Sequence, residues 1–339
     1  MDSILIGLLG ALLATNQPAA ISNLVTQTTG LTVNVPDTND PVEKEFRQIM
    51  MDDDAVLNEV DSWISENNDF AEKGGGQPAE SFNTRIHAKF AGTIKAYEGF
   101  IQRHPDHVGA RIAYGSFLND IKDEEGAEVQ YKKAVELDPK NPAAWNQLGL
   151  LYGEGHLGEV KKAIECLEKA IDLNPNESVY YRNLGDIVGL FRKDAMEYYK
   201  IDEQQVFNKT LGLYQHARKL DPDDFELAQN LAETYYSIKP FRADEGLAAW
   251  TNALNVAENE LEREGVYVHL ARFKLHAERF AEARQQLTGV TNETFYTLKM
   301  RLLHNIDDQE AKAQQQTNAS SPSVELKSAD PGKSAAPKP

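Results

Sequence analysis

The 339-residue sequence has a single cysteine, Cys166, and few cations: 35 Lys and Arg against 53 Asp and Glu. One cysteine excludes a disulfide framework within the chain and any zinc or iron–sulfur site built from several thiolates. The cation deficit leaves a formal charge of −18. That argues against a nucleic-acid ligand, because neutralising phosphates takes clustered Lys and Arg. Long hydrophobic runs are scarce too. The one exception is Ile4–Ala14, ILIGLLGALLA, which is short of the roughly 20 residues that span a bilayer.

That run has the length of a signal-peptide apolar region, yet the preceding MDS carries an acid, and the first Lys or Arg is Lys44. A signal peptide has a positive start. Three readings stay open: a retained helix packed on the next, a cleaved signal, or a membrane-surface anchor made by residues 1–25. The expected location is the cytoplasm, with export or membrane association through this segment as the alternative.

Signatures of catalysis are missing as well. No nucleophile elbow, P-loop, zinc-protease helix or kinase motif is present. Gly153, Gly155 and Gly158 spell GxGxxG, but they follow a helical pattern instead of a strand and read as an inter-helix turn. Asp52, Asp53 and Asp54 lack the glycine and distal glutamate of a calcium loop and read as a solvated helix face. His104 and His107, and His269 and His276, have no third ligand at metal spacing. Cys166 stands beside Ala163, Leu167 and Ala170, as a buried structural thiol does. No cofactor, metal or enzymatic activity is expected.

What the sequence does have is repetition. YKKAVELDP (Tyr131–Pro139), LEKAIDLNP (Leu167–Pro175) and YQHARKLDP (Tyr214–Pro222) share an aromatic or Leu, an Ala three residues on and a Pro five residues after that. YEGFIQRHP (Tyr97–Pro105) has the same spacing with Phe100 for Ala. The proline ends each helix, since the residue before it is pushed out of α geometry. After these prolines come ARIAYGSFL, AWNQLGLLY and YYRNLGDIV, each with a large apolar residue before a glycine: Gly115, Gly149 and Gly185. Leu231–Ala232 and Leu270–Ala271 continue the series with alanine. A glycine in mid-helix costs up to about 1 kcal/mol against alanine, which is justified where a second helix must come close. The unit is therefore helix, turn, helix, proline. Successive prolines lie 34, 36 and 47 residues apart.

These residues resemble the tetratricopeptide repeat family. The likeness is carried by Trp145, Leu148, Gly149, Tyr152, Ala163, Leu167, Ala170 and Pro175 in one unit. In the unit before it, Tyr114, Gly115, Leu118, Ala127, Tyr131, Ala134 and Pro139 carry it. The resemblance implies an all-α, right-handed superhelical solenoid of helix-turn-helix repeats over residues 105–291. Residues 292–311 read as a capping helix that covers the last apolar face. Ahead of the repeats, residues 40–104 form a helical lead-in with a Gly-rich hinge at 74–78, and residues 1–39 form the apolar N-terminal segment. Residues 312–339, rich in Gln, Ser, Ala, Pro and Lys, are expected to be disordered. The long third unit departs from the family through an insertion at 191–210, which enlarges a loop or extends its helices.

The family binds extended peptides or partner helices in an inner groove lined by the first helix of each pair. By this likeness the groove residues are Asn146 and Leu150, Arg182 and Asp186, and Gln229 and Glu233, with Asn119 and Glu154 one turn further on. Ile112 and Ser116 are the corresponding inward-facing pair of the preceding repeat, Asp120 belongs with Asn119 and Glu154, and Asn146, Asn183 and Asn230 are candidates for contacting a peptide backbone. The Gly–Asn step that serves carboxylate-gripping members of the family is missing here: Ser116, Leu150 and Asp186 follow the glycines. The expected function is a non-catalytic protein-interaction scaffold with a neutral to basic protein or peptide partner. Two alternatives remain: an envelope-associated assembly factor tethered by its N-terminal segment, and a regulatory or enzymatic role for the 191–210 insertion.

Overall fold

The computed structural model describes residues 40–154 and 158–320. Among them are fourteen α-helices and no strand. The described chain divides into two compact units, one up to Leu227 and one from Ala228.

The first unit opens with α1 (Pro41–Glu72) and α2 (Ala79–Arg103). Asp40 caps α1 by accepting from Val42 N at 2.8 Å, and Pro41 sits in its first turn, where a missing N–H does no harm. Phe46, Ile49 and Val60 make the buried stripe of α1. The expected hinge between α1 and α2 is a hydrogen-bonded turn. Gly75 N donates to Phe70 O at 2.8 Å and Gly74 N to Ala71 O at 3.0 Å, while Gln77 N donates to the Asn67 side chain at 2.8 Å. Gly74 and Gly76 have φ of 81° and 112°, a region that excludes side chains at little cost only for glycine.

Helix pairs follow: α3 (Val108–Asp120) with α4 (Glu124–Leu137), and α5 (Pro142–Glu154) with α6 (Val160–Leu173). Then come α7 (Ser178–Leu190), α8 (Arg192–Tyr199) and α9 (Glu203–Leu220), in which α9 packs on α7. The prolines organise each start. Two residues past Pro105, Pro139 and Pro222, the side chains of His107, Asn141 and Asp224 accept the N–H three residues further on. This is helix N-capping. Six residues past the first three prolines, Arg111, Trp145 and Tyr181 each donate to the carbonyl of Pro105, Pro139 or Pro175.

The glycines work as close approaches. A Cβ at Gly115 would lie 2.6 Å from the Tyr131 ring, at Gly149 2.8 Å from Leu167 Cγ and at Gly185 2.9 Å from the Tyr214 ring. Each partner is the aromatic or Leu that opens the ending shared by the repeats. The insertion at 191–210 is an added helix, α8, and a longer α9. Ala195 is buried, and the Tyr198 and Tyr199 hydroxyls donate to Glu168 of α6 at 3.2 and 2.8 Å. The added helix therefore fills space against its neighbours.

The helix α10 (Phe225–Thr234) straddles the division between units. The second unit continues with α11 (Ala243–Val256), α12 (Glu260–His276), α13 (Phe280–Thr288) and α14 (Tyr296–Ser320). The buried Glu264 carboxylate accepts Thr291 N, Thr291 Oγ1 and Asn292 N, fixing the turn before α14. These bonds hold it below the usual carboxylate range. Leu302 and Ile306 of α14 complete an apolar cluster with Ala271, Leu275 and Leu287, as a cap should. The cap outruns its expected end at residue 311: residues 312–320, assigned to the disordered tail, continue the helix. Ala311, Lys312, Ala313 and Gln314–Gln316 are strong helix formers, so propensity extends α14 past its apolar face. Residues 321–339 lie outside the described residues, as do residues 1–39. Among the described residues no helix is long and apolar enough to cross a membrane.

One member of the expected solvated Asp52–Asp54 face is buried. Asp53 is only 8 % exposed, because it falls on the stripe of Phe46, Ile49 and Val60. Its Oδ2 accepts from Tyr97 OH at 2.7 Å, and Tyr97 stacks on Tyr114 of α3. Burial pushes the Asp53 carboxyl up to about 6, against the Tyr97 bond, which pulls it down, with Asp54 and Asp120 adding repulsion.

Two tests follow from this packing. Gly149→Ala is expected to cost about 1–3 kcal/mol by overpacking against Leu167. Gly212→Ala in α9, where an added Cβ meets nothing within 4 Å, is expected to stabilise by up to about 1 kcal/mol. Equal thermal midpoints for the two variants would contradict the close approach. The second test is pH. The folded Asp53 pKa lies above its unfolded value, so the folded chain binds the extra proton and stability falls as pH rises from about 4 to 6. Asp53→Asn is expected to flatten that part of the urea-midpoint profile and to gain about 1–2 kcal/mol near neutrality, allowing for solvent screening. Parallel profiles would exclude a buried ionising Asp53.

Candidate protein-interaction site

Between α3, α4 and α5 lies a cavity of about 310 Å³, lined by Ser116, Asn119, Asp120, Lys122, Tyr131, Gln147 and Leu150 among others. Four of the expected groove residues, Ser116, Asn119, Asp120 and Leu150, therefore share one concavity. Ser116 Oγ lies 3.1 Å from Tyr131 OH, and Gln147 Nε2 donates to Ser116 Oγ at 3.4 Å. Lys122 reaches the rim because it closes α3 with φ of 68°, its N–H donating to Asn119 O. Partial burial holds the Asp120 carboxyl above the usual range, opposed by Lys122 and assisted by Asp61. A cation beside Asp120 would reverse that shift. The side chains of Asn119 and Asp120 make no hydrogen bond or ion pair among the described residues.

The other expected groove residues are placed differently. Asn146 is 7 % exposed and its Oδ1 accepts from Asn183 Nδ2 at 2.9 Å. This pair joins α5 to α7 inside the stack, so Gln147, one residue on, takes the open position. Arg182 is held by Glu226 at 3.0 Å and Asp224 at 3.8 Å. Asp186 accepts from Tyr214 OH at 2.5 Å. Glu154 ends α5, and its side chain lies outside the described residues. Gln229 and Glu233, on the part of α10 that belongs to the second unit, bond to each other at 2.9 Å.

The residues set aside for chemistry fall into structural places. His107 caps α3 through Nδ1. His269 stacks on Trp250 at 4.0 Å and meets Tyr236 OH at 2.9 Å, and burial lowers it to about 4. Burial pushes the Cys166 thiol up to about 12, which makes it unreactive near neutrality. Gly153 belongs to α5, and Gly158 lies just ahead of α6, where Glu159 N bonds to Tyr152 O. Gly155 of the same GxGxxG pattern lies outside the described residues. No group of three or more His, Cys, Asp or Glu side chains suited to a metal occurs among the described residues.

Comparison with known families decides what these helix pairs are. The TPR repeat model matches residues 122–154, and the tetratricopeptide repeat model matches residues 142–177. Residues 122–177 of the chain are tetratricopeptide repeats. Among its relatives is human tetratricopeptide repeat protein 13, 33% identical over 92 residues, which are 26% of this chain and 10% of that protein. Human protein O-mannosyl-transferase TMTC3 is 31% identical over 98 residues, 29% of this chain and 10% of that protein. The chain thus spans about a tenth of the length of these curated relatives. Among solved structures it is similar to YrrB, described as a TPR protein with an unusual peptide-binding site. There the TM-score is 0.46 at 17% identity, over 61% of this chain and 97% of that one. Tetratricopeptide repeats bind protein or peptide partners and are generally non-catalytic. The matched repeats of this chain are therefore of a kind that serves protein–protein interaction.

Proposed function

We propose that this protein holds an extended, neutral to basic peptide along its first unit. The cavity at Asn119, Asp120, Gln147 and Leu150 receives one side chain of that peptide. The observation that carries the reading is that cavity: the Asn119 and Asp120 side chains, not used up by packing, line a space of about 310 Å³ between the first helices of successive repeats. Asn119 and Gln147 are suited to a peptide backbone, Leu150 to an aliphatic stem, and Asp120 to a Lys or Arg head. Arg182, Asp186 and Asn146 set the shape of the stack here instead of contacting the partner. The role is non-catalytic.

The test is a peptide selection on the wild-type chain, by phage display, followed by affinity measurement of the selected peptides. The pool is expected to be enriched in Lys or Arg. Asp120→Lys is expected to weaken the selected peptides by about tenfold, which corresponds to roughly 1.4 kcal/mol. Asp223→Lys, the same charge change at an exposed loop position, should leave them unchanged. Binding should also weaken as falling pH protonates Asp120, since the cation favours the ionised carboxylate. Selected peptides that bind Asp120→Lys and Asn119→Ala as tightly as wild type would remove this site from the reading.

A further inference from the structure

The sharpest concentration of charge lies outside the repeats. Over Pro41–Glu72, α1 carries ten Asp or Glu and only Lys44 and Arg47 as cations, and none follows until Lys73. Of these acids Asp53 is buried, Glu59 pairs with Lys89 of α2 at 2.5 Å, Glu45 pairs with Arg103 of α2, and Glu43 faces His107 at 3.3 Å. Glu66, Asp69 and Glu72, in the last two turns, have no ion pair among the described residues.

An exposed apolar side chain stands among these last acids. Phe70 is 65 % exposed. Beside it a cavity of about 270 Å³ is bounded by Trp63, Glu66, Gln77, Phe82 and Arg85. The cavity is preformed, because the bonds from Gly75 and Gln77 to Phe70 and Asn67 fix the turn that closes it. One wall is a guanidinium: Arg85 Cζ lies 3.6 Å from the centroid of the Trp63 ring, an attractive geometry for a cation over an aromatic face. That fixed positive charge excludes a cation from the cavity itself. Glu66 in its wall and Asp69 beyond it offer the counter-charge for a flanking cation. The site thus sorts its ligand into an apolar anchor and flanking positive charge, and an anionic surface is repelled.

We infer that the end of α1 and the turn after it form a second docking site, separate from the cavity between α3 and α5. Its occupant is a basic amphipathic segment of a partner protein, which inserts an apolar side chain beside Phe70 and places Lys or Arg on Glu66 and Asp69. Charge complementarity selects this partner. The positive flank steers the encounter, and the buried anchor supplies the contact that resists salt.

The probe is a fluorescein-labelled amphipathic helix of Lys and Leu, about five turns long by helix geometry, titrated with the full chain and read by anisotropy. Wild type is expected to bind it, more weakly as salt rises. Phe70→Ala and Glu66→Lys are each expected to weaken binding by about tenfold. Because Phe70 and Glu66 are exposed, circular dichroism should remain that of wild type. Asp223→Lys makes the same charge change as Glu66→Lys at a distant surface position and should bind as wild type. Equal affinity for wild type, Phe70→Ala and Glu66→Lys would overturn the site. So would an equal loss in Asp223→Lys, which would mean diffuse charge attraction. Self-association abolished by Phe70→Ala would assign the face to a second copy of the chain. Binding at least tenfold tighter after deletion of residues 1–39 would assign it to that segment. Either result would also overturn the proposal.

Discussion

The distance between the two helices of a repeat depends on the small residue in the middle of the first one. At Gly115, Gly149 and Gly185 there is no room for a Cβ against Tyr131, Leu167 and Tyr214. The contact also sets the chemistry of the next position. The Tyr131 hydroxyl passes its glycine and meets Ser116, the residue after Gly115. The Tyr214 hydroxyl likewise meets Asp186, the residue after Gly185. Where the partner is Leu167, which has no hydroxyl, the residue after Gly149 is Leu150. The position after each glycine is therefore matched to the tip of the facing helix.

Most of the fold was legible because its rules are local. Proline spacing gave the phase of the repeats, and the cap two residues later and the donor six residues later follow from the same landmark. The third unit departs from that phase through α8, which is separated from α7 by a single residue, Phe191. Its length was visible in the sequence, but its packing through Tyr198 and Tyr199 onto Glu168 was not, since those contacts are 30 and 31 residues apart. The end of α14 was misread for a different reason. Low apolar content marks the absence of a core face, while Ala, Lys and Gln still favour the helix.

The site was harder to read, because one residue of helix register separates a committed side chain from an open one. Asn146 and Gln147 look equally suitable in sequence. The first turns into the Asn183 contact and the second into the cavity. Arg182 and Asp186 were placed on a sensible face, but their partners, Glu226 and Tyr214, are 44 and 28 residues away. Asp53 shows the same limit. Three consecutive aspartates read as solvent-facing, yet one of any three consecutive helical residues can fall on the buried stripe, and here Tyr97 supplies it with a donor.

The acidity of the chain also needs relocating. Its formal charge of −18 suggests a groove that attracts basic partners. Yet the cavity between α3 and α5 sets Lys122 against Asp120 and Glu124, a nearly balanced set. Helix α1, by contrast, has a net charge of −8 from ten acids and two cations. Long-range attraction grows with net local charge and is screened over about 8–10 Å at physiological salt. Recognition in a cavity depends on a few aligned groups. Under the two proposals the regions divide the work: α1 would supply the field that gathers cationic polypeptides, and the repeats the hydrogen-bonding geometry that discriminates among them.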